Sequence, residues 1–177
     1  MNSNSKRKTI LMAASIIVKN NGVEKLTLEA VAKEAGVSKG GLLHHFPNKE
    51  ALIKGMVEEL TNDFFINVQD RAMSATVETG KWIRAFTEVV SEDIKEGREI
   101  STALTAALFT NPDILSKFQN QYAMWQKNIE NDGIDPVLST IVRLAADGLW
   151  YSEMFGLGVL DDELRTKVIQ ELINMTK

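Results

Sequence analysis

From Ile10 to Met175 the apolar residues recur at steps of three and four, the spacing that lines one face of an α-helix. No strand-like alternation, internal repeat or low-complexity stretch interrupts this pattern. The periodicity predicts an all-α chain, and its stop signals divide it into about nine helices. Ile10, Leu11, Ala14, Ile17 and Val18 form a first stripe, ended at Asn21-Gly22. Thr27 stands where an N-cap belongs, ahead of Leu28, Val31, Ala32 and Ala35, and Gly36 stops that second helix. Ser38 caps a short third helix through His45, which Pro47-Asn48 breaks.

Leu52, Met56, Leu60, Phe64 and Val68 step by four along a long fourth helix, to about Met73. Trp82, Ile83, Phe86, Val89, Val90 and Ile94 mark a fifth, expected to close at Gly97, with a short sixth from Ile100 to Phe109. Asn111-Pro112 and Asp135-Pro136 each pair an N-cap with proline at the first helical position and open the seventh and eighth. Gly156-Leu157-Gly158 ends the eighth, and Asp161-Asp162 starts the ninth.

The absence of cysteine excludes a disulfide framework, thiolate metal sites, a cysteine nucleophile and thiol-based redox sensing. The apolar runs fall far short of the roughly 20 residues that span a bilayer. Residues Met1 to Lys8 are polar then basic, so no signal peptide is expected, and the cytoplasm is the expected location with no membrane partner.

The net charge of -4 hides an asymmetry. Residues 1–55 hold nine Lys/Arg against four Asp/Glu, and residues 56–177 hold eleven against twenty. Both histidines fall in the first segment, and Phe46 is its only aromatic among the chain's twelve. A basic, aromatic-poor segment followed by an acidic, aromatic-rich one points to two tasks on one chain.

The second and third helices, joined through Gly36-Val37-Ser38, form a helix-turn-helix. Such a unit places the start of its second helix against base edges in the major groove of double-stranded DNA. Those positions here are Ser38, Lys39, Gly40, Gly41, His44 and His45. Lys39 can donate to guanine O6 or N7. Thr27 and Lys49 begin flanking helices, where free N–H groups favour phosphate. Adjacent His44 and His45 diverge by about 100° on a helix and make a poor metal pair.

The run from Leu28 to Leu52, LEAVAKEAGVSKGGLLHHFPNKEAL, resembles the TetR family of bacterial transcriptional regulators, and the likeness extends back through Ile10–Ala14 and Gly22. The helical remainder, with Ala146-Asp147-Gly148-Leu149-Trp150, looks like the family's divergent regulatory domain. The resemblance implies a DNA-binding domain over residues 1–49 and a ligand-binding and dimerisation domain over 50–177. It implies a homodimer on a palindromic operator, with Thr27 and Lys49 on phosphate and Ser38, Lys39, Gly41, His44 and His45 touching DNA. Leu42, Phe46 and Leu52 match packing positions. Two departures stand out: Leu43 replaces the usual tyrosine of the DNA-facing set, and Gly41 replaces a common hydroxyl-bearing residue.

In the acidic segment, Trp82, Phe86, Phe109, Phe118, Tyr122, Trp125, Asp147, Trp150 and Met154 are candidate linings of an apolar ligand cavity. An inward-pointing acid among Glu88, Asp93, Asp147 and Glu153 would favour a cationic lipophilic effector. The eighth helix is apolar on more than one face and needs burial on two sides. With the ninth it is expected to pair with a second copy through Val137, Ile141, Leu144, Gly148, Tyr151, Leu164, Val168 and Leu172. A ligand-released repressor is the expected function. A helical partner-binding module, or a DNA-binding regulator without a small-molecule ligand, is the alternative. No nucleotide, hydrolase or metalloprotease motif occurs, so neither an enzyme nor a cofactor is expected.

Overall fold

A computed structural model of the chain describes the backbone of residues 3–177 and the side chains of residues 5–95 and 111–177. The described residues form eight α-helices, one short 3-10 turn and no strand. The helices are α1 (Ser3–Asn21), α2 (Leu28–Glu34), α3 (Lys39–His45), α4 (Lys49–Ser74), α5 (Lys81–Thr110), α6 (Pro112–Glu130), α7 (Pro136–Phe155) and α8 (Asp162–Asn174). The all-α expectation holds, with one boundary corrected. The stop expected at Gly97 is absent, and the two helices expected around it are the single 30-residue α5. A lone interior glycine costs about 1 kcal/mol against alanine. No proline reinforces it there, and the helix runs through.

The chain divides into two compact units, one of residues up to Thr61 with 99–115, the other of residues 62–98 with 116–177. In the first unit Ile10, Leu11, Ala14, Val18, Leu26, Val31, Leu42, Phe46, Leu52 and Met56 are buried. Each such side chain contributes about 1.5–3 kcal/mol on leaving water. The stripes read from the sequence are therefore the faces that α1 to α4 turn toward one another. Gly55 is the close approach in this core, since a Cβ there would fall 2.6 Å from the Phe46 ring. Arg7 lies 5.5 Å from the same ring centroid and pairs with Glu58 and Glu59 of α4.

The second unit is built on Phe65, Val68, Ile83, Phe86, Val89, Val90, Trp125, Ile129, Val142, Ala146, Leu149, Ile169 and Leu172. The Asp135 carboxylate accepts from the N–H groups of Val137 and Leu138 to start α7. Gly156, at φ 69°, closes that helix in the left-handed conformation that glycine adopts without strain. Asp161 then accepts from the Leu164 N–H to start α8.

Candidate functional site

The helix-turn-helix is set by local chemistry. The Thr27 hydroxyl accepts from the Ala30 N–H at 3.1 Å and starts α2. At the other end of α2, Gly36 takes φ 63°. Its N–H donates to the Lys33 carbonyl, and the next N–H, of Val37, reaches back to Ala32 at 3.0 Å. This paired closure turns the chain sharply and satisfies the last carbonyls of α2. The Ser38 hydroxyl then accepts from the Gly41 N–H at 3.1 Å to start α3.

Leu42 is fully buried and fixes α3 to the first unit, leaving its opposite face open. Ser38, Lys39, Gly40, Gly41 and His44 are exposed, His45 is half-buried, and Leu43 is 36% exposed. The two imidazoles meet edge to face with centroids 5.3 Å apart. No group of three or more His, Cys, Asp and Glu able to hold a metal occurs among the described residues. Lys49 is exposed at the first position of α4, and its ammonium donates to the Val23 carbonyl at 3.3 Å. The Lys39 ammonium donates to the Glu29 carboxylate of α2 at 2.6 Å. Nothing in the sequence pattern singled out Glu29, because a contact ten residues apart across a turn has no helical periodicity.

In the second unit Phe86, Phe118, Tyr122 and Trp125 gather into one aromatic cluster with Phe64 and Phe65 of α4. The Phe65 and Trp125 centroids are 4.0 Å apart. Phe86 and Trp125 are buried core, Trp82 and Trp150 pack against that core, and Met154 is buried on α7. The Phe109 side chain lies outside the described residues. Tyr122 donates its hydroxyl to Asp147 at 3.1 Å, and Arg143 donates to the other carboxylate oxygen at 2.6 Å. Burial pushes the Asp147 carboxyl above the usual aspartate range, against the opposing pull of Arg143 and the Tyr122 hydrogen bond. Burial likewise pushes the Tyr122 hydroxyl up, so it stays protonated as a donor.

The other acids expected near the apolar faces have protein partners too. Glu88 pairs with Arg71, Asp93 accepts from the Trp150 indole N–H, and buried Glu153 pairs with Arg165.

Along α7, Val137, Ile141 and Leu144 are 65%, 50% and 55% exposed. Gly148 is exposed and Tyr151 half-buried on the same line, and the spacing of four and three is that of a helix–helix seam. Phe155 extends the line and stacks on Tyr151 with rings 3° from parallel. It was not among the expected interface residues. Leu164 of α8 is exposed. Val168 is half-buried against the second unit's core, and Leu172 is part of that core. Among the residues expected at the interface, Leu172 is the one buried within the single chain. It lies three residues after Ile169, on the buried stripe of α8.

No described helix is long and apolar enough to cross a membrane.

Comparison with known proteins adds to this geometry. The family model described as bacterial regulatory proteins, tetR family, matches residues 10–56. The model described as tetracyclin repressor-like, C-terminal domain, matches residues 80–177. The nucleoid occlusion factor SlmA of Aliivibrio fischeri is 27% identical over 116 residues, covering 64% of this chain and 59% of that protein. The chain thus spans less than two thirds of the length of the curated relatives it matches first.

A transcriptional regulator from Rhodococcus sp. Rha1 shares the fold at a TM-score of 0.73, with 16% identity and coverage of 96% of this chain and 95% of that one. The multidrug binding protein EbrR, solved with imidazole, aligns at 0.61 with 21% identity, over 95% of this chain and 94% of its own.

Proposed function

Because the chain belongs to the TetR family of bacterial DNA-binding transcriptional regulators, we propose that it is a repressor released from a palindromic operator by a small lipophilic effector. DNA reading is assigned to residues 1–49, and effector binding and dimerisation to residues 50–177. Its place of action is then the cytoplasm.

The observation that carries this reading is the exposed face of α3. Buried Leu42 anchors that helix, while Ser38, Lys39 and His44 stand in solvent at its start and middle. An operator with two half-sites requires two such helices about 34–36 Å apart. The exposed stripe of α7 from Val137 to Gly148, continued by half-buried Tyr151 and joined by exposed Leu164, supports a homodimer that supplies the second helix. Ser38, Lys39 and His44 face bases, with Gly40 and Gly41 letting the backbone approach. Thr27 and Lys49 hold phosphate, His45 flanks them, and Leu43 contributes apolar contact without a phenolic hydrogen bond.

The effector site is assigned to the aromatic cluster around Phe86, Phe118, Tyr122 and Trp125, with Trp82, Trp150 and Met154 on adjoining faces. Asp147 is the acid a cationic effector would engage, by taking the place of Arg143. A relative of the same fold that binds multiple drugs, EbrR, supports a small-molecule signal. One helix, α4, carries both Lys49 and the Phe64-Phe65 pair. Effector binding that shifts α4 is the proposed route of release, with a typical coupling of about 1–3 kcal/mol.

The test is a titration of the full chain on DNA flanking its own gene and on unrelated DNA of equal length, at two salt concentrations. A preference of about a thousandfold or more for the flanking DNA is expected, with affinity falling steeply in salt. Equal, weak affinity for both would overturn the reading in favour of a partner-binding helical module.

A further inference from the structure

Lys39 does not stand alone at the head of α3. Its partner Glu29 projects from α2 to within 2.6 Å, and the two side chains are 61% and 65% exposed. Exposed pairs of this kind contribute little to folding. A carboxylate on the face turned toward DNA also opposes phosphate attraction. The hydrogen bond from Lys39 holds the Glu29 carboxyl below the ordinary glutamate range, so it stays ionised.

A charged donor and a charged acceptor 2.6 Å apart match one feature of the major groove. In a G·C pair the guanine O6 accepts and the cytosine N4 amino donates, and these atoms bond each other at about 2.9 Å. The ammonium can take O6 with the neighbouring N7, while the carboxylate accepts from N4. An A·T pair offers an amino group and an oxygen as well, but beside thymine O4 lies a methyl group rather than a second acceptor.

We infer that Glu29 is a base-reading residue, and that Glu29 and Lys39 form one donor–acceptor couple selecting a single G·C pair in each half-site. This rests on the proposed regulator function.

The test uses the full-length protein to enrich binders from a randomised double-stranded DNA library. The enriched sequence is then altered one base pair at a time and titrated by fluorescence anisotropy. Wild type, Glu29→Ala, Lys39→Ala and the double variant are compared, with far-UV circular dichroism to verify helix content. Both single variants are expected to relax the preference at the same G·C pair by about tenfold and at no other. The double variant is expected to lose little more than either single one. Glu29→Gln, which keeps an acceptor oxygen, is expected to retain part of that preference.

If Glu29→Ala instead raises affinity equally for every sequence, Glu29 is only an electrostatic brake and the inference falls while the regulator reading stands. Variants that relax different base pairs overturn it equally. If wild type enriches no sequence, the regulator reading itself fails and the inference falls with it.

Discussion

The Asp132 carboxylate accepts a hydrogen bond from the Ile83 N–H at 2.9 Å, joining the end of the α6 segment to the first turn of α5 across 49 residues. The Asp132 backbone carbonyl accepts from the Gly80 N–H at 2.6 Å. One buried residue thus satisfies two donors at a helix start, where the first N–H groups have no helical partner. The same corner is closed from the other end of the chain. Arg84 donates to the Thr176 carbonyl at 2.9 Å, and a Cβ on Gly80 would strike that oxygen at 2.2 Å.

Asp132→Ala is expected to destabilise the protein by about 1–3 kcal/mol, because a buried N–H loses its acceptor. Urea denaturation followed by tryptophan fluorescence measures this. A midpoint equal to that of wild type would show that α5 starts without the cap. Gly80→Ala is expected to destabilise as well, since its φ of 70° and the Thr176 oxygen both oppose a side chain.

Asp147 gives the fold a pH dependence of definite sign. Burial raises its folded-state pKa above the unfolded value of about 3.9. The folded chain therefore binds this proton more tightly than the unfolded chain. The resulting stabilisation is present at the acid end and is lost as pH rises from the unfolded value through the raised folded one. Asp147→Asn removes the titration. Its neutral amide stands in for the protonated carboxyl that wild type carries at the acid end. Thermal melts in mildly acidic buffers should show wild type losing stability relative to Asp147→Asn as pH rises through that window. A constant gap would mean that Asp147 titrates at its ordinary value.

What the sequence disclosed followed from chemistry local to a few residues. Thr27, Ser38, Asn48, Asn111, Asp135 and Asp161 each cap a helix in the structure, because a short polar side chain can reach the N–H groups two or three residues on. The outward positions of α3 followed from the docking geometry of a helix-turn-helix, and the family resemblance placed Leu42 and Phe46 on its packed side. Relations between distant segments were not legible. Periodicity marked Leu172 as apolar, but not which of two apolar surroundings it enters. Asp147 looked available because Tyr122 meets it from a different helix. Gly97 looked like a stop because glycine breaks helices locally, but a cost of about 1 kcal/mol with no proline beside it does not end a 30-residue helix.

The α7 seam predicts a charge-sensitive interface. Leu144 lies in the middle of the stripe and is 55% exposed in the single chain, so an acid there meets water in the monomer. In a symmetric dimer it would meet its own copy in a desolvated seam. Leu144→Glu is expected to leave far-UV circular dichroism unchanged, shift the sedimentation coefficient to that of a monomer and weaken operator binding by about a hundredfold or more as the second half-site contact is lost. A variant that sediments as a dimer would place the interface elsewhere.

The two glycines of α3 should behave differently when given a methyl group. Both lie in a helix, where alanine is favoured by about 1 kcal/mol. At Gly40 a Cβ would meet no atom within 4 Å, so Gly40→Ala is expected to raise the melting temperature by about 2–4 °C. At Gly41 the Cβ would lie 3.2 Å from the Ser38 hydroxyl oxygen, the group that caps the helix through the Gly41 N–H. Pressure on that cap offsets the propensity gain, and Gly41→Ala is expected to be near neutral in stability. If these positions let the backbone approach DNA, both variants weaken operator binding while the free protein is no less stable. Scanning calorimetry and anisotropy titration on the same samples separate the two effects. Unchanged binding by Gly40→Ala would mean that α3 keeps a gap at that position wide enough for a methyl group.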